Sequence, residues 1–399
     1  MSLALQVSQT RLRVAFVVES GTDVRLLEGL IKRLELEVVA RKIANGVEIS
    51  QAPSFAIPVT VGPSGRLKFG YFVAKYLFAR RQSLDAILVQ GYGVAALAAN
   101  LTARWFGIPA YMLVCSPVEA YYECRKNSSE EGKSYRKHEA VLLRGLARLN
   151  AMCGQEYIVL SQYLADVVRL HGTRRPIEVV PVYGVDTAVF RPPEVAKSAI
   201  KASRSLPLDG ALVFFSSRIA PEKDAYTLVA ALRLVLDRGR NVRIVHRSGG
   251  FRSFLELAQQ IGVASHVIAT DAVHPVKELP LDYQACDLCV QASRAEGLGF
   301  SVLEALACGV PVIAAGVGGL KDTIIQGTTG WSYPPGDVAA LAACIEDALD
   351  NPAEAQRRAL RGRQLVLAEY ESRIVFDKLT NLIAARTGGK TSSICESPA

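Results

Sequence analysis

Short apolar runs alternate with longer amphipathic stretches along most of the 399 residues. The run Arg13–Val18 reads as a buried strand, and a helical spacing of apolar positions follows through Leu34. Val38–Val39, Ala86–Val89, Pro109–Val114, Tyr157–Leu160 and Glu178–Val182 continue the strands. Helical patterns lie between them, near Lys68–Arg81, Gly93–Phe106, Ser134–Ala151 and Gln162–Leu170. A second series starts with a strand at Ala211–Ser216 and continues with a helix at Ala225–Asp237 and a strand at Val242–His246. A helix at Phe251–Ile261 and a strand at Val267–Ala269 follow. Strands alternating with helices predict an α/β chain with two doubly wound, Rossmann-like parallel sheets.

Between the two series stands Pro181–Pro192, a stretch punctuated by Gly184 and Asp186 that suits a linker. The predicted division is a first domain over 1–187, a second over 188–370, a C-terminal helix over 371–387 and a flexible tail over 388–399. A chain of this length gives each domain enough residues for its own core. No apolar run approaches the roughly 20 residues that span a bilayer. Residues 1–13 lack a signal-peptide core, so the expected location is the cytoplasm. The eight cysteines are scattered, and Cys286 and Cys289 fall in an apolar run where thiols act as small buried hydrophobes.

Charge narrows the picture a little. The formal net charge is +8, with 23 Lys+Arg against 16 Asp+Glu in residues 1–187 and 23 against 22 in the rest. Lys68–Arg81 interleaves aromatics with cations, and Lys133–Arg148 carries cations around an apolar stripe. Each cation near an anionic membrane contributes on the order of 1 kcal/mol. Peripheral association at the inner face of the membrane is therefore one expected partner, although most amphipathic helices only bury one face on their own sheet. No nucleic-acid motif accompanies the charge.

The chemistry concentrates in Arg294–Thr323. An apolar run ends at Ser293, Gly297 and Gly299 make a turn, and Val302–Ala307 opens a helix. A second unit repeats this from Val310–Ala315 through Gly316, Gly318 and Gly319 to a helix near Leu320. Two strand, Gly-turn, helix units at one sheet edge make a ready site for a phosphate-bearing ligand. Glu296 and Glu304 stand eight positions apart across the first turn. Ser301 and Glu304 also match a capping box, which would make that acid structural. Upstream, Arg218 and Lys223 follow the first strand of the second series, a placement able to hold a diphosphate. Their plain alternative is ion pairing with Glu222 or Asp224.

This unit resembles the E-x7-E signature of retaining glycosyltransferases of the GT-B fold, in the GT4 (group 1) family. The resemblance implies that the first domain binds the acceptor and the second the nucleotide-sugar donor. It implies that Glu296 contacts the donor sugar and Glu304 the ribose, with Leu298, Gly299, Phe300 and Ser301 offering amides to sugar and diphosphate. It gives Arg218 and Lys223 the diphosphate, Gly21 a close backbone approach to it, and Val273 a contact with the base, with Leu279 packed nearby. The last helix would cross back onto the first domain. No Asp-x-Asp occurs, in keeping with metal-independent catalysis and no cofactor. The chain departs from the family where a His often follows the strand ending at Val114, since Cys115, Ser116 and Pro117 stand there. Ser116 and Glu119 are the candidates for sugar or acceptor contact, and Glu119 equally suits pairing with Arg125 or Lys126. The implied activity is retaining transfer of a hexose-type sugar from a nucleotide diphosphate to a hydroxyl on a glycan, lipid-linked or small-molecule acceptor. A nucleotide-sugar epimerase and a non-catalytic nucleotide-sugar binding protein are the alternatives.

Overall fold

The computed structural model describes residues 11–43, 57–126, 137–270 and 278–387. The expected flexible tail over 388–399 lies outside these residues.

The first sheet has seven strands: β1 (Arg13–Val18), β2 (Glu35–Arg41), β3 (Val59–Gly62), β4 (Ala86–Gln90), β5 (Ala110–Val114), β6 (Glu156–Val159) and β7 (Ile177–Val179). The second has six: β8 (Ala211–Phe215), β9 (Val242–Arg247), β10 (Val267–Thr270), β11 (Leu288–Gln291), β12 (Val312–Ala315) and β13 (Trp331–Tyr333). All pairings are parallel, in the orders β3-β2-β1-β4-β5-β6-β7 and β10-β9-β8-β11-β12-β13. Both sheets are doubly wound, as the alternation of strands and helices required. Helices cover both faces, so the central strands are apolar on both sides: Val14 to Val18 and Leu212 to Phe215 are buried throughout. The edge strands β3 and β13 are additions to the sequence reading. They are four and three residues long, too short for a period to declare itself.

In each sheet the strand order reverses beside the first strand, between β1 and β4 and between β8 and β11. Ligands of such sheets bind outside the carboxyl ends of the strands at this reversal. The loops after β1 and β8 are therefore the places to look.

The chain returns to the first domain at its end. Helix Pro352–Leu365 runs into a π-helical turn at Val366–Tyr370. Val185 N–H then donates to Tyr370 O at 2.7 Å, and Ser372 N–H to Val185 O at 2.9 Å. Helix Ser372–Ala385 packs on the first domain, where Tyr111 Oη donates to Ile383 O at 3.1 Å and Arg33 to Asp377 at 3.2 Å. Cys286 and Cys289 are buried free thiols, and burial first, then nearby Asp287 and Glu304 respectively, pushes both up.

Candidate active site

A cavity of about 480 Å³ lies between the two sheets, at both strand-order reversals. The first domain contributes Gly21, Thr22, Asp23, Gln90, Ser116 and Tyr121 to its wall. Tyr183 of the linker and Glu296, Leu298, Gly299 and Phe300 of the second domain complete it.

The second-domain wall is built by the turn before helix Phe300–Ala307. Gly299 holds φ at +91°, a left-handed conformation open to glycine, and caps the helix without a side-chain bond. The first-turn amides of a helix have few intrahelical acceptors, and Gly299 and Phe300, where this helix starts, line the cavity. Gly319 lets a second turn close behind: its N–H donates to Glu296 O at 3.1 Å, and a Cβ there would stand 2.1 Å from Gly297 O. Glu296 is thus fixed through its backbone and also through its side chain. Its carboxylate accepts from Lys223 Nζ, from Ser293 Oγ at 3.3 Å and from Gln291 Nε2 at 3.3 Å. Tyr121 Oη of the first domain reaches it at 3.5 Å, and burial, then the charges of Glu296 and Glu222, raise that phenol well above its usual range.

Glu304 does not close a capping box. Gly299 occupies the cap position, and Ser301 Oγ donates instead to Gln291 Oε1 at 3.1 Å. Glu304 lies inside the helix and is buried, accepting from Tyr283 Oη at 2.9 Å and from Arg25 at 2.7 Å. Arg25 comes from the opposite domain. It also donates to Asp23 at 2.9 Å and stacks 4.4 Å from the Tyr183 ring, which itself stacks on Phe300 at 4.1 Å. Burial opposes the Arg25 charge, but Tyr183, Glu304 and Asp23 together hold it firmly protonated. Burial likewise raises Asp23, and the Arg25 bonds outweigh it and hold that carboxyl below its usual value.

Arg218 shows its plain alternative in this state: it donates to Glu222 at 2.8 Å, with its own side chain 59% exposed. Glu222 is fully buried and also accepts twice from first-domain Arg125, at 2.7 and 3.1 Å. Burial would raise Glu222, but the Arg125 bonds keep it below the ordinary carboxylate value.

Not every predicted contact gathers here. Gly21, Ser116, Glu296, Leu298, Gly299 and Phe300 line the cavity, Lys223 stands behind Glu296, and Glu304 lies deeper, behind Arg25, which itself bonds Asp23 of the wall. Val273 lies outside the described residues. Glu119 faces away, 3.3 Å from His171 Nε2 and 3.9 Å from Arg144, and pairs with neither Arg125 nor Lys126. Arg125 is six positions on, off the Glu119 face of the helix, and Lys126 is two turns away, about 10 Å. Sequence reasoning missed Arg25, Arg125 and Tyr283. It also missed Thr22 and Gln90, whose buried Oγ1 and Oε1 atoms have no hydrogen-bond partner at the cavity. Cys115 sits beside them, its thiol pushed up to about 12 by burial and then by Asp23.

The family described as glycosyl transferases group 1 matches residues 196–365. The 2-deoxystreptamine glucosyltransferase of Streptomyces kanamyceticus is 32% identical over 298 residues, covering 73% of this chain and 75% of that protein. A GDP-mannose-dependent α-(1-6)-phosphatidylinositol monomannoside mannosyltransferase of Mycolicibacterium smegmatis is 32% identical over 212 residues. That match takes in 51% of this chain and about half, 55%, of the relative. Among solved structures, Anabaena HepE with UDP-glucose superposes with a TM-score of 0.72 at 17% identity, over 94% of this chain and 99% of that one. Sucrose-phosphate synthase from Thermosynechococcus elongatus gives 0.72 at 20% identity, over 93% and 98%. At these identities the structures speak for the shared two-domain fold.

Proposed function

The chain belongs to the group 1 glycosyltransferases, and from that premise we propose that it moves a hexose-type sugar from a nucleotide-diphosphate donor to a hydroxyl acceptor, keeping the α configuration. The observation that carries this reading is the convergence of Glu296, Lys223 and the Gly299 turn on one cavity between the domains.

In this proposal the diphosphate lies on the first-turn amides of helix Phe300–Ala307, with Gly21 opposite. Glu304 accepts from the ribose hydroxyls through lone pairs that Arg25 and Tyr283 leave open, since a carboxylate accepts about four hydrogen bonds. Glu296 holds a sugar hydroxyl, and Lys223 passes from Glu296 to the phosphate oxygens. Arg218 has the exposure to swing from Glu222 to the same oxygens. The bond from the anomeric carbon to the phosphate oxygen breaks, the acceptor oxygen bonds that carbon on the same face, and the leaving phosphate takes the acceptor proton. Positive charge brought to the leaving oxygen lowers the barrier, and in this reading the chain's own cations supply it without a metal. Cys115, largely protonated at neutral pH, takes no part as base.

The test offers UDP-, GDP- and ADP-sugars with candidate acceptors, with and without EDTA, and follows nucleotide release and product anomer by NMR. Release from one donor, unchanged by EDTA and giving the α anomer, supports the proposal. A β product or loss with EDTA contradicts the mechanism. Free sugar formed without acceptor would favour the epimerase, and binding without release would favour a nucleotide-sugar binding protein.

A further inference from the structure

We infer that a second cavity, at the edge of the second sheet opposite the candidate active site, binds an organic monocarboxylate with an apolar body. The cavity measures about 610 Å³, within the usual span of small-molecule pockets. Ala211 at the start of β8, Leu288 at the start of β11 and Pro311 just before β12 line it. It therefore lies at the amino ends of these strands, whereas Glu296 and Gly299 follow the carboxyl end of β11.

The charges of this cavity are uneven. Lys197 and Lys201 stand one turn apart on one face of helix Lys197–Ser203. Asp287 is the single acid among the lining residues. Both of its oxygens are engaged: Oδ1 accepts from Lys197 Nζ at 2.8 Å, and Oδ2 from the Leu212 N–H at 2.9 Å. Lys201 Nζ stands 3.6 Å from Oδ2, beyond hydrogen-bond reach. Its side chain is nevertheless only 8% exposed, and its ammonium makes no hydrogen bond to a described residue. An ammonium carries three donors, and leaving them without acceptors in a buried position is costly. An anion in the cavity supplies those acceptors.

The rest of the wall narrows the choice of anion. Two ammonium groups against one carboxylate leave a single positive charge, which a second carboxylate balances. A phosphate monoester carries about −1.5 to −2 at pH 7 and would overshoot that balance beside Asp287. Leu288, Val310, Leu349 and Leu360 line the remainder with hydrocarbon. Cys286 and Cys308 add no charge, because burial first, then Asp287 and Glu304 respectively, push their thiols up. An apolar body suits this wall, and a carboxylate suits Lys201. The cavity also touches both stretches that join the domains. Pro192 ends the linker, and Pro352, Ala355 and Gln356 belong to the helix that leads back to the first domain.

The test is isothermal titration calorimetry of the full chain with octanoate, octan-1-ol and inorganic phosphate as probes. Octanoate should bind at one site, about tenfold or more tighter than either of the others. Lys201→Met keeps the buried stem and removes the charge, while Gln356→Trp fills the cavity from an exposed helix position. Each should weaken octanoate about tenfold or more without lowering the melting temperature of the unliganded chain. Equal affinity for octanol, or tighter binding of phosphate, would overturn the carboxylate assignment. Octanoate binding that survives both substitutions, or no binding at all, would overturn the site.

Discussion

The two domains share a sheet plan and differ in how their site loops are finished. At the second-domain edge the polar side chains hold each other. Gln291 accepts from Ser217 at 3.0 Å and from Ser301 at 3.1 Å, and donates to Ser293 at 2.8 Å. Lys223 and Gln291 then fix Glu296. At the first-domain edge Thr22 Oγ1 and Gln90 Oε1 lack partners. The second-domain wall is thus organised before anything binds, while the first-domain wall, apart from Asp23 held by Arg25, leaves polar atoms for a ligand to satisfy. Arg25 and Arg125 tie the halves together across the cleft, one at Glu304 and one at Glu222.

If that contrast is right, damage to the organised half should cost most. Lys223→Ala removes the cation that sits on Glu296 and that the proposed mechanism brings to the leaving phosphate, and kcat should fall about 10²–10³-fold in single-turnover kinetics. Gly319→Ala forces a Cβ to 2.1 Å from Gly297 O and shifts the backbone that carries Glu296. A displacement on the order of 1 Å at a reacting group costs about 10²-fold in turnover. The same change should lower unfolding stability by about 1–3 kcal/mol, as overpacking does. Arg25→Ala tests the tie between the halves. Losing hydrogen bonds to a charged partner costs about 2 kcal/mol, and the donor KM should rise by up to about thirtyfold while kcat changes less.

The smallest effect is a pH dependence. The folded Glu222 carboxyl lies below its ordinary value of 4.5, because Arg125 and Arg218 outweigh its burial. Its contribution is therefore fully present above pH 4.5 and is lost as pH falls through the folded value. With Arg125 partly exposed, about 1 kcal/mol or less is at stake. Melting temperatures between pH 3 and 6 should show a steeper acid loss in the wild type than in Arg125→Met.

The fold, and the candidates that gather at the second-domain wall of the cavity, were legible because local signals carried them. Short apolar strands alternate with helices, and the candidate acids, cations and glycines of the second-domain edge stand within two compact segments. What stayed hidden was set by distance along the chain or by backbone geometry. Arg25 meets Glu304 across 279 positions and Arg125 meets Glu222 across 97, so no local pattern announces either pair. The capping-box reading of Ser301 and Glu304 failed because Gly299, in a left-handed turn, already starts the helix and leaves both side chains for tertiary partners. Glu119 was placed near the site by its position after β5, but the helix beginning at Val118 turns it towards His171.

The account turns on Glu296 acting on a bound sugar, and the direct measurement is donor binding and nucleotide release in parallel on Glu296→Ala. Calorimetry should find the nucleotide bound within about tenfold of the wild-type affinity, while release in the presence of acceptor falls at least about 10³-fold. Release at the wild-type rate, or a wild type that binds donor and never releases it, would contradict the account.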